Sequence, residues 1–64
     1  MTITIEIKCD NAAFDEENGG PGPEVGRLLR KVAALCEADD FDTVDGKRLM
    51  DVNGNHVGNV TVDA

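Results

Sequence analysis

The residues from Glu24 to Ala38 read EVGRLLRKVAALCEA. Val25, Leu28, Leu29, Val32, Leu35 and Cys36 recur at the spacing that lines one stripe of an α-helix, at about 100° per residue. No other stretch offers so large an apolar surface, so the remaining chain must fold onto this one. Arg27, Arg30, Lys31, Ala34 and Glu37 fall on the opposite side and are expected to meet water. With 64 residues the chain makes a single domain, and at this size only about 60% of the unfolded surface is buried. The two Phe are the only aromatic residues besides one His, which leaves Ile, Leu and Val to fill the core.

Before the helix, Thr2 to Lys8 alternates Ile3, Ile5 and Ile7 with Thr2, Thr4, Glu6 and Lys8, the pattern of a β-strand wet on one face. Periodicity then stops until Pro23, and Asn18-Gly19-Gly20-Pro21-Gly22-Pro23 is dense in turn formers. Phe14 is expected to pin this loop to the core edge. Pro23 suits a first helical turn, with Glu24 at the positive end of the helix dipole. After the helix, Phe41 is expected to fold back onto the core. Two strands, Lys47 to Val52 and Asn55 to Val62, flank Asn53-Gly54, the signal for a two-residue type I′ hairpin. Val57 and Val60 are out of phase, which predicts a bulge at Gly58. The expected fold is α+β: a two-layer β-α-β-β unit with one helix on a three-stranded antiparallel sheet in the order 2-3-1.

Several chemistries find no support. His56 is the sole histidine, too few for a histidine triad or a multi-histidine metal site, and beside a turn it is expected to be exposed. Cys9 and Cys36 have no CxxC partner and are expected to be two free thiols, Cys36 as a small core residue. Gly19 to Gly22 lacks the GK[ST] ending of a phosphate cradle and is flanked by acids. A calcium loop starting at Asp40 fails because Val44, Asp45 and Asp51 stand where an oxygen ligand, a glycine and a glutamate are needed. No enzyme activity, cofactor or metal is expected. The alternating start contains no signal-like or membrane-spanning run, so a cytoplasmic location is expected.

The charge is both large and segregated. Thirteen acids against six bases give −7, which disfavours nucleic acid or an anionic membrane as partner and favours a basic protein surface. Asp10, Asp15, Glu16, Glu17 and Glu24 form one run without a base, and Glu37, Asp39, Asp40, Asp42 and Asp45 form another. The second run lies at the negative end of the helix dipole, where each exposed acid costs about 0.3 to 1 kcal/mol. Such arrays can imitate DNA, which carries one charge per about 1.7 Å of axis. The glycine-rich first run is expected to be the more mobile, so Glu37, Asp39, Asp40, Asp42 and Asp45 are the primary candidates for partner binding. Asp15, Glu16, Glu17 and Glu24 form a second contact.

The segments TITIEIKCDNAAF, EVGRLLRKVAAL and DVNGNHVGNV resemble small acidic proteins of bacteriophages and prophages, some of which are anti-CRISPR proteins. The resemblance implies a mimic of double-stranded DNA. Its partner would be the basic surface of a type I Cascade subunit that reads the protospacer-adjacent motif, in the cytoplasm of a bacterial host. The chain itself is expected to be a monomer. The alternative is a structural or adaptor phage protein that associates through an apolar or strand-edge surface.

Overall fold

In the computed structural model, which describes residues 1–38 and 41–64, strand β1 (Thr2–Ile7) leads through two 3₁₀ turns to helix α1 (Pro21–Glu37). A third 3₁₀ turn (Phe41–Val44) precedes strands β2 (Arg48–Met50) and β3 (His56–Asp63). The sheet is antiparallel with the order β1-β3-β2, and the helix packs on one face, the two-layer α+β arrangement expected from the sequence. β3 lies in the middle because β1 and β2 both pair with it.

α1 starts three residues before the expected Glu24. Pro21 occupies the first helical position and Pro23 follows within the first turn, where a missing N–H leaves no intrahelical bond unmade. Gly20 precedes them with φ 78°, a conformation that disfavours any side chain.

The core consists of Phe14, Ala13, Leu28, Val32, Val44, Leu49, Val57 and Val60, with Leu28, Leu49, Val44 and Val60 fully buried. Burying an aliphatic side chain of this size contributes about 2 kcal/mol. Phe14 is thus a core residue, and Phe41 packs against the cluster from the side. In contrast to the uniform stripe expected, Leu29 is 45% exposed. The sheet is covered unevenly as well. Ile3 and Ile5 share the helix-side face with Val62 and Val60, their register partners, yet they remain 44% and 39% exposed. The helix therefore covers the β2–β3 half and leaves the β1 edge open, in a molecule 38 Å long and 18 Å by 17 Å across.

The hairpin differs from the expected type I′ turn. Such a turn needs positive φ at both central residues, and only Gly54 has it, at 84°. The Gly54 N–H donates to the Asp51 carbonyl and the Asp51 N–H to the Asn55 carbonyl. This is a type I turn closed by a glycine in the left-handed region. The bulge also lies one residue earlier than expected: Leu49 pairs with Gly58 and Met50 with His56, so Val57 is the extra residue. The bulge turns Val57 into the core beside Val60. Gly58 serves another purpose, because a Cβ there would overlap the Glu6 carbonyl.

Candidate functional site

The first acidic run is more ordered than an open loop. Asn11 caps the turn Ala12–Phe14 by accepting from the Ala13 N–H at 3.1 Å. The Asn18 side-chain amide donates to the Ala12 carbonyl at 2.8 Å, and the Gly20 N–H to the Asp15 carbonyl at 2.9 Å. Asp15, Glu16 and Glu17 are thereby held on a short wound segment at the N-terminal end of α1, all three exposed. At the other end Glu37 is the last helical residue and is exposed, as are Asp42 and Asp45. Asp39 and Asp40 lie outside the described residues. A helix of 17 residues spans about 25 Å at 1.5 Å per residue, so the structure divides the acids between two ends, with exposed Arg30 and Lys31 between them.

Two of the candidates have structural duties. Glu24 is not on the surface: it is 7% exposed and accepts from Arg27 Nε at 2.7 Å, Arg27 Nη2 at 2.8 Å and the Val52 N–H at 2.8 Å. Arg27, expected in water, also donates to the Met50 carbonyl at 3.1 Å. This bidentate pair ties the start of the helix to the end of β2, which removes Glu24 from the docking array. The hydrogen bonds from Arg27 hold the Glu24 carboxyl below its ordinary pKa against the cost of burial, with help from the Val52 N–H. Asp45 remains exposed, but its Oδ1 accepts the Val62 N–H at 2.9 Å, taking the place of a strand partner just before β2 begins.

The sequence reading missed Asp51. It is 5% exposed and accepts the Asn53 and Asn55 N–H groups on Oδ1, each at 2.8 Å. Its Oδ2 accepts the side-chain amides of Asn11 at 2.7 Å and Asn55 at 3.2 Å. Burial opposes its ionisation, but the donors from Asn55, Asn53 and Asn11 outweigh that and lower its pKa. An Asp opening a turn with glycine three residues later, as in Asp51-Val52-Asn53-Gly54, was the available signal.

A cleft of about 420 Å³ opens between the helix start and this turn, with Glu24, Arg27 and Arg30 beside Pro23, Val52 and Asn53. Glu24 and Arg27 neutralise one another at its floor. His56 is exposed, and its Nε2 lies 2.9 Å from the Gly58 carbonyl and 3.0 Å from Asn59 Oδ1, contacts that suit a proton on Nε2. Cys9 is exposed and Cys36 half-buried, both as free thiols. Among the described residues no three His, Cys, Asp or Glu side chains gather as a metal site, and no helix is long and apolar enough to cross a membrane. Comparison with protein-family models, curated proteins and solved structures finds no match to this chain.

Proposed function

We propose that this protein is a binding inhibitor that presents carboxylates to a basic, DNA-binding protein surface, as an anti-CRISPR mimic of double-stranded DNA directed at a type I CRISPR complex. The observation that supports this reading is the placement of exposed acids at both ends of α1. Asp15, Glu16 and Glu17 stand at one end and Glu37, Asp42 and Asp45 at the other, with Asp39 and Asp40 assigned to the second group from the sequence. Asp15, Glu16, Glu17 and Glu37 make no ion pair among the described residues, so their charge is available to a partner. The length of α1, about 25 Å, corresponds to roughly seven base-pair steps at 3.4 Å each. Two arginine- or lysine-lined contacts on one DNA groove could therefore be engaged together. Charge-assisted bonds of this kind need no base readout.

The test is competition between this protein and labelled target duplex for purified Cascade complexes across a salt series. Inhibition should be competitive with duplex and should weaken as salt rises. The triple variant Asp15→Asn, Glu16→Gln, Glu17→Gln and the double variant Glu37→Gln, Asp42→Asn should each weaken inhibition about tenfold or more, equivalent to about 1.4 kcal/mol. Glu6→Gln with Asp63→Asn, acids on the sheet, should not. Equal loss from the sheet variant, or inhibition indifferent to both salt and the two clusters, would reject the mimicry.

A further inference from the structure

β1 is a long sheet edge with no strand on its outer side among the described residues. The Lys8 N–H donates to the Val57 carbonyl at 2.7 Å, in line with the register that sets Ile7 against Gly58. By the alternation of an antiparallel ladder, the even-numbered residues of β1 turn their backbone toward β3, and Ile3, Ile5 and Ile7 turn their N–H and C=O groups outward. The same three side chains lie on the helix-side face, where Ile3 and Ile5 are half exposed. Open backbone groups and an uncovered apolar strip thus coincide on one edge. Two of the devices that usually blunt such an edge are missing: β1 contains no proline, and its register with β3 runs unbroken from Thr2 to Ile7, while its charges, Glu6 and the adjacent Lys8, stand on the face away from the helix.

We propose that a second copy of this chain covers the edge, with the two β1 strands pairing antiparallel about a two-fold axis at Ile5. In that register Ile5 meets its own copy and Ile3 meets Ile7 on the helix-side face, while Thr4 meets Glu6 and Thr2 meets Lys8 on the other. Every outward backbone group of the three isoleucines then has a partner, and no like charges stand opposite. Moving the axis to Glu6 would set two glutamates face to face. A slip of one residue would set the isoleucines against polar residues, Thr4 and Glu6 among them.

Charge selects this occupant. Both acidic runs lie outside β1, which carries one acid, Glu6, and is followed by one base, Lys8. A basic partner is drawn to the ends of α1, whereas this edge suits a neutral strand of alternating Ile and Thr, which β1 itself is. The product is a six-stranded sheet with both helices on one face and the isoleucines of both copies along the seam. It replaces the monomer expected from the sequence, and it stands independently of the DNA-mimic reading because the acidic ends of α1 remain uncovered.

Sedimentation equilibrium of the full chain over a hundredfold concentration range tests the proposal. The wild type should approach twice its 6.8 kDa, and raising the salt should not dissociate it. Ile5→Lys, a change at a site half exposed in the single chain, should sediment as a monomer with an unchanged far-UV circular dichroism spectrum. If that variant fails to fold, Ile5→Cys in a Cys9→Ser, Cys36→Ser background decides the matter. Mild oxidation should link it into a covalent dimer, because residues facing each other in such a pair lie about 5.5 Å apart, whereas Thr61→Cys on the outer sheet face should stay unlinked. A monomeric wild type at the highest concentration, or a dimer that survives Ile5→Lys, would overturn the proposal.

Discussion

Gly58 shows how a single residue can be required for a reason the sequence only half reveals. Its place between two out-of-phase valines marked an irregularity, and an irregularity is present one position earlier, at Val57. The demand on Gly58 comes instead from β1, because a Cβ would meet the Glu6 carbonyl and sit 3.1 Å from the Ile7 Cα. Both are backbone atoms of a paired strand and cannot move aside singly. Gly58→Ala should therefore destabilise the protein by about 3 kcal/mol or more, above the usual cost of an added methyl group in a packed core. Urea denaturation measures it, and a midpoint close to wild type would show that β1 can withdraw without penalty. Asp51 was legible in hindsight from turn chemistry, whereas its bond to Asn11 joins residues far apart in sequence and no local pattern foretells it.

The elements themselves were legible wherever periodicity was strong. The stripe of α1, the alternation of β1 and the pairing order followed from the positions of apolar residues. The limits of β2 and the type of turn did not, because side-chain carboxylates took over backbone partners there: Asp51 closes the turn and Asp45 satisfies β3 beyond β2. Glu24 was placed on the docking surface because its charge was counted before its i, i+3 partner Arg27. The two buried carboxylates make the helix–hairpin junction sensitive to acid. Both have folded pKa values below their ordinary ones of 4.5 for Glu24 and 3.8 for Asp51, so the unfolded chain takes up protons first as the pH falls. The stabilisation is complete above these ordinary values and is lost as the pH drops from them through the depressed folded ones. Thermal melts between neutral pH and pH 2 should show this decline. In Glu24→Gln and Asp51→Asn variants, starting less stable, the slope should be shallower, and a slope equal to wild type in both would remove these two groups from the linkage.

For the whole molecule, the helix acts as a spacer that keeps two groups of negative charge apart while the sheet edge stays nearly neutral, so the proposed acidic contact and the proposed strand contact would occupy different faces. The register that produces this edge, Thr2 against Asp63 through Ile7 against Gly58, also joins strands that lie far apart in sequence. Closing the long loop between β1 and β3 carries a higher entropic cost than closing the short one between β2 and β3, so β2 with β3 can assemble first through a turn of a few residues. The expected order of assembly is then hairpin and helix early, β1 last. Thr4→Gly, on the outer face of β1, should leave refolding in stopped-flow experiments nearly unchanged and accelerate unfolding about fivefold for a loss of about 1 kcal/mol. Refolding slowed in proportion to the lost stability would instead place β1 in the folding nucleus. An order with β1 last would take the folding chain through a stage in which the β1-facing side of β3 is open, and the time spent there would depend on how quickly β1 pairs.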